Sequence, residues 1–264
     1  MKVLLIFIIV LLILYLLLVS PKMIHRADQK LFLKNVFYAH RGLFDNDSDA
    51  PENSLAAFQK AVDAGYGMEL DIQLTKDDKV VVFHDATLDR MCGVEGNVWD
   101  YTLEELKQFK LLNSNEAIPT FEEVLKLVAG KTPLIVEYKL DRPLTKVCEL
   151  GNALLSRYEG VYCVESFHPF ALMWYKKHRP DVMRGQLSGN LAKETEDTKK
   201  KCYYTLVSYL LTNILTRPDF IAYDHRYVNN ISRRVCRWLG ALSVTYTVKT
   251  VERYQKVKDD FDLF

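Results

Sequence analysis

Strand-length apolar runs that alternate with helix-patterned stretches constrain this chain more than any other feature. "NVFYAH" (35–40) precedes "NSLAAFQKAVDAG" (53–65), where Leu55, Phe58, Ala61 and Val62 make a helical stripe and Gly65 ends it. "GMELDIQL" and "KVVVFH" follow, then a loop-rich stretch through "CGVEGNVWD". After "PTFEEVLKLVAG" come "PLIVEYK" (133–139) and a helix expected from Leu144 to Tyr158. "VYCVESF" (161–167), "VMRGQL" (182–187), "FIAYDH" (220–225) and "ALSVTYTV" (241–248) are the later strands, and "FDLF" reads as one more. Eight strands alternating with helices predict parallel βαβ units. In 264 residues the expected architecture is an α/β, (β/α)8 TIM barrel, with a doubly wound sheet as the alternative. Neither GxGxxG nor GxxxxGK(S/T) occurs, which removes the usual nucleotide signatures of the doubly wound fold.

The stretch "GMELDIQL" sets a problem of its own. Side chains alternate along a strand, so Leu70, Ile72 and Leu74 share one side while Glu69, Asp71 and Gln73 share the other. Either the acidic side meets water, or two carboxylates are buried together. Burial is costly unless a cation or hydrogen bonds compensate. Barrel enzymes carry their chemistry at the carboxyl ends of strands. Those ends here read His40-Arg41, Glu69/Asp71, His84, Glu137/Lys139, Ser166/His168, Asp224/His225 and Tyr246. Each alone has a bland reading: a histidine after a strand is usually a hydrogen-bonded loop residue, and Glu-x-Lys usually a surface pair. Together they make a converging ring. Glu69, Asp71 and Glu137 offer three hard oxygen donors, suited to one divalent cation, Mg2+ or Ca2+, rather than zinc. His40 and His84 can supply general acid and base. Arg41 and Lys139 can bind phosphate oxygens. Metal, imidazoles and cations together suggest phosphodiester hydrolysis.

The first segment differs in kind. Val3 to Val19 is unbroken apolar sequence, counting Tyr15, flanked by Lys2 and Lys22. Its length is near the lower limit for a membrane-spanning helix. "LLLVSPKMIHRA" offers no convincing small-x-small cleavage site, so an uncleaved single-pass anchor is expected over a cleaved signal. Lys22, Arg26, Lys30 and Lys34 outnumber Lys2 and the amino terminus, which places the remainder of the chain on the cytoplasmic side of the cell membrane. Net charge is +1, leaving no bulk electrostatic case for nucleic acid. The five cysteines are odd in number and lack CxxC spacing, which argues against a disulfide framework and a structural zinc site.

"AHRG" (39–42), "PENS" (51–54), "GMELDIQLTKDDKVVVFHDATLDR" (67–90), "IPTFEEVL" (118–125), "VEYK" (136–139), "SFHP" (166–169) and "YTV" (246–248) occur in order. This series resembles the glycerophosphodiester phosphodiesterase family over residues 36–264. The resemblance implies a TIM barrel, a divalent cation, and hydrolysis of glycerophosphodiesters to glycerol 3-phosphate and an alcohol. By motif, Glu69, Asp71 and Glu137 match the family's metal ligands, and His40 and His84 its acid/base pair. Arg41, Glu52 and Lys139 match residues around metal and phosphate. Tyr246 stands where the family often has tryptophan in the substrate wall. Residues about 85–117, after the second strand, resemble its small capping insertion. The expected organisation is therefore an anchor (1–21), a juxtamembrane linker (22–35) and a catalytic domain (36–264). The family's closing segment, with an acidic or polar residue after the last strand, is not matched. A lysophospholipid-cleaving, phospholipase D-like enzyme of the same barrels is the nearest alternative. A non-catalytic lipid-binding module is a further one, against which the presence of all five of His40, Glu69, Asp71, His84 and Glu137 speaks.

Overall fold

A computed structural model describes residues 1–22, 36–140 and 145–264. Most of the linker expected over 22–35 and Leu144, the expected start of a helix, lie outside them. The chain divides into two compact units, one of Leu31–Ser166 and one of Met1–Lys30 with Phe167–Phe264.

In the unit Leu31–Ser166, strands β1 (Tyr38–His40), β2 (Gly67–Leu74), β4 (Leu134–Tyr138) and β5 (Tyr162–Ser166) pair in parallel in that order. The strand β3 (Val80–Val82) departs from expectation. Its sequence, "KVVVFH", reads as one of the parallel repeats, but β3 runs antiparallel to β2, with Ile72 opposite Val82. The connection explains it: Thr75 N–H donates to Lys79 O at 3.0 Å, closing a turn far too short for a parallel crossover. Helices Leu55–Asp63, Phe121–Val128 and Lys146–Leu155 follow the sequence signals. Ser54 Oγ caps the first by accepting from Ala57 N, and Thr120 and Glu123 form a reciprocal capping box on the second. Between β3 and β4, short helical turns close over a satellite core of Phe83, Leu88, Met91, Val98 and Leu106.

In the other unit, β6 (Arg184–Ser188), β7 (Phe220–Asp224) and β8 (Leu242–Tyr246) are parallel neighbours. Leu263 of "FDLF" adds one parallel bridge to Val244. Ile221, Tyr223, Ala241, Val257 and Phe261 form its core, and Val19 of the N-terminal helix Lys2–Val19 joins them. All five cysteines are free thiols, with Cys148, Cys163 and Cys236 buried.

Candidate active site

The site is built on the carboxyl ends of β1 and β4, the middle of β2 and two loops: Glu69 and Asp71, expected at a strand end, lie inside β2, because the strand runs on to Leu74 to pair with β3. β2 answers the question that its sequence posed, because both of its faces are buried. The apolar side packs into the core, so Glu69, Asp71 and Gln73 lie buried on the other. Register places Asp71 beside Glu137 and His40 beside Glu69. Ligand oxygens of Glu69, Asp71 and Glu137 all lie within 4.8 Å of one another. Such crowding splits the three carboxyl groups. Burial, then repulsion from Asp71 and Glu137, lifts Glu69 well above the ordinary range. Burial, opposed by Lys139 and reinforced by Asp71, pushes Glu137 up to about 7. Asp71 goes the other way: against the cost of burial, Lys139, His84, Arg41 and Asn53 hold it ionised. Three buried hard-oxygen donors that repel one another suit a divalent cation, so these residues could hold one.

Two chain cations already stand beside the cluster. Lys139 Nζ lies 2.9 Å from Asp71 Oδ1 and 2.7 Å from Glu137 Oε1. Arg41 Nη1 pairs with Glu52 Oε1 at 2.7 Å, and its Nε lies 3.5 Å from Asp71 Oδ2. The backbone serves the same end. Arg41 (φ 60), Gly42 (φ 83) and Asn53 (φ 58) are left-handed, turning the loops so that Arg41 N donates to Glu69 Oε2 at 3.2 Å and Asn53 Nδ2 to Asp71 Oδ2 at 2.9 Å. A Cβ on Gly42 would meet the Ala57 carbonyl carbon at 2.9 Å, so only glycine allows the loop this close to the helix.

The two histidines occupy different environments. His40 Nε2 lies 3.8 Å from Glu69 Oε2, and burial, then Arg41, lowers its pKa to about 4. It is a neutral imidazole at pH 7. His84 Nδ1 is 2.6 Å from Asp85 Oδ1, which fixes the ring.

The structure thus brings together His40, Arg41, Glu52, Glu69, Asp71, His84, Glu137 and Lys139. Tyr246 belongs to the other unit, at the end of β8, where its hydroxyl donates to Ser188 O at 2.7 Å and its ring stands edge-on to Phe167. The other polar strand ends hold structure together. Ser166 Oγ donates to Tyr138 O, His168 caps a helix, and Asp224 binds Arg226. Sequence reasoning missed four groups. Asn53 orients Asp71. Arg90 grips Glu52 (2.7 and 3.0 Å) and Asp85 (2.6 Å) together. Asp85 orients His84. Glu165, only 4% exposed and paired in register with Glu137, leaves Oε2 without a partner. The acid before Ser166 in "CVESF" was the available signal for it.

Residues 40–254 match the model of the glycerophosphoryl diester phosphodiesterase family. A glycerophosphodiester phosphodiesterase of Caldanaerobacter subterraneus is 36% identical over 171 residues, which cover 59% of this chain and 67% of that protein. A lysophospholipase D of Rattus norvegicus is 35% identical over 151 residues, 52% of this chain and 46% of that protein. The aligned parts thus span about half to two-thirds of these relatives. The fold is similar to that of an Oleispira antarctica phosphodiesterase solved with the product sn-glycerol-3-phosphate, with TM-score 0.71 and 22% identity over 89% of this chain and 93% of that one. The (β/α)8 barrel class expected from the sequence is the fold they share. Because the family match runs from β1 into the helix Val251–Val257, the chain belongs to the glycerophosphoryl diester phosphodiesterase family.

Proposed function

We propose that the protein hydrolyses glycerophosphodiesters to glycerol 3-phosphate and an alcohol with the aid of one divalent cation, Mg2+ or Ca2+. The observation that carries this reading is the convergence of Glu69, Asp71 and Glu137 within 4.8 Å beside Lys139, Arg41 and two histidines. Family membership and the named relatives support it. A cation held by the three carboxylates supplies positive charge to a phosphodiester oxygen. Lys139 and Arg41 add charge for the remaining phosphate oxygens. His40, neutral at pH 7, takes the proton of the attacking oxygen as the new P–O bond forms. His84, its ring set by Asp85, returns a proton to the alkoxide as the old P–O bond breaks. Glu52, gripped by Arg41 and Arg90, holds Arg41 in place. Tyr246 is assigned to the substrate wall by motif.

The apolar helix Lys2–Val19 is long enough to cross a membrane by length and composition, and it favours a second reading. With residues 1–21 as an anchor, 22–35 as a linker and 36–264 as a cytoplasmic catalytic domain, lysophospholipids become accessible substrates. Phosphorus NMR of glycerophosphocholine incubated with the full chain tests the first reading. Glycerol 3-phosphate is the expected product; phosphocholine, from cleavage of the other ester bond, would refute it.

A further inference from the structure

The N-terminal helix is built into the unit that it precedes. Val19 is fully buried, and its carbonyl accepts from Asn213 Nδ2 at 2.9 Å and Cys236 Sγ at 3.2 Å. Arg217 Nη1 donates to the carbonyls of Leu17 at 3.1 Å and Ser20 at 2.9 Å. A helix end leaves such carbonyls without intrahelical partners. Here side chains of the folded unit satisfy them, which a loose tether would not require.

These contacts also fix a direction. Tyr15 Oη lies 3.0 Å from Ser232 Oγ, near the start of the helix Ile231–Trp238 that follows β7. Val19 meets Cys236 one turn further along, and Lys22 N donates to Pro218 O, just before β7 begins. The chain therefore descends from the carboxyl end of β7 toward its amino end. In the opposite direction, residues 1–14, all exposed, run out past the carboxyl end. That is the end at which (β/α)8 barrels carry their chemistry.

Length then sets the distance to the membrane. With Tyr15 onward docked, the free apolar part Val3–Leu14 amounts to about 18 Å of helix. A hydrocarbon core is roughly 30 Å thick. So short a segment enters a bilayer deeply only if the face it leaves rests in the interface. That face has a suitable composition. The helix Thr198–Ser208 lies over the ends of β6 and β7, where Ser188 Oγ donates to Val207 O and Tyr223 Oη to Ser208 O, both at 2.8 Å. Tyr203, Leu206 and Tyr209, three residues apart, form an exposed stripe along one side, preceded by the exposed Lys199, Lys200 and Lys201. Ile231, beside the Tyr15 contact, is 57% exposed. Tyrosines, aliphatic side chains and lysines together are what membrane-interface surfaces use.

We infer that the bilayer holding the N-terminal helix covers the carboxyl-end face of this unit at Tyr203, Leu206, Tyr209 and Ile231, with Lys199–Lys201 on lipid phosphates. The inference rests on the anchor reading given above. The test uses the full chain with Cys92→Ser and Cys202→Ser, labelled with a polarity-sensitive dye at Leu206→Cys or at Trp238→Cys. Trp238 is 78% exposed and lies at the far end of the helix Ile231–Trp238. The chain is reconstituted in phosphatidylcholine–phosphatidylglycerol vesicles that contain a lipid with a nitroxide near its head group. Quenching several-fold stronger at position 206 than at 238 is expected, and Tyr203→Cys should repeat it. Equal or reversed quenching would overturn the inference. A carbonate wash separates the two claims. A retained chain unquenched at 206 refutes the covered face alone, whereas a chain washed from the vesicles refutes the anchor and the inference with it.

Discussion

At the scale of single residues, the electrostatics of the carboxylate cluster dictate how it takes up a cation. Glu137 sits near pH 7 and Glu69 well above its ordinary value, so the cluster without metal binds protons at neutral pH. Ligands must be deprotonated, so cation uptake should release protons, and affinity should rise as pH increases through about 7. Calorimetric titration of Mg2+ in buffers of different ionisation enthalpy checks this; heats independent of buffer would contradict it. Glu52 behaves oppositely. Against the cost of burial, Arg90 and Arg41 lower it to about 2. Its folded value lies below its unfolded one, so ionised Glu52 stabilises the fold fully above about pH 4.5, and this is lost as pH falls toward 2. Glu52→Gln should cost roughly 1–3 kcal/mol at pH 7 in urea unfolding, and the gap to wild type should shrink across that acid window. The clustered carboxylates, histidines and cations were legible in the sequence because each lies within a strand or no more than two residues past its end. Asn53 and Arg90 were not, because they act on other side chains across loops whose course no periodicity reveals; Asp85 acts on its neighbour His84, in a loop conformation that no periodicity fixes. Glu165 was legible in principle, as its register with Glu137 follows from two adjacent parallel strands.

At the scale of elements, the site depends on tight backbone approach as much as on side chains. Gly42 combines a left-handed backbone with contact against the helix Leu55–Asp63. Gly42→Ala should destabilise by roughly 2 kcal/mol and lower turnover by displacing Arg41. Denaturant unfolding beside an activity assay checks both; a variant as stable and active as wild type would show that the loop accommodates a side chain. Helices were read well where caps and apolar stripes coincide, as at Ser54 and Thr120. Strand direction was the weaker reading. "KVVVFH" has the composition of a barrel strand, and only the short turn before it, closed by Thr75 and Lys79, makes it a hairpin partner of β2.

At the scale of the whole molecule, the alternation of strands and helices was enough to give the barrel class, because parallel strands need crossovers and crossovers leave a helical stripe between apolar runs. The docking of Tyr15, Val19 and Lys22 was not legible, since an apolar segment reads alike whether it meets lipid or protein. The proposed function requires a cation held by Glu69, Asp71 and Glu137. The measurement that tests it most directly is hydrolysis of glycerophosphocholine by the full chain after EDTA treatment, then with Mg2+ or Ca2+ restored, with Glu69→Ala run alongside. Release of glycerol 3-phosphate that vanishes with EDTA, returns with metal and is absent in the folded variant is the predicted result. Turnover that survives EDTA, or a Glu69→Ala protein with near-normal metal-dependent activity, would contradict it.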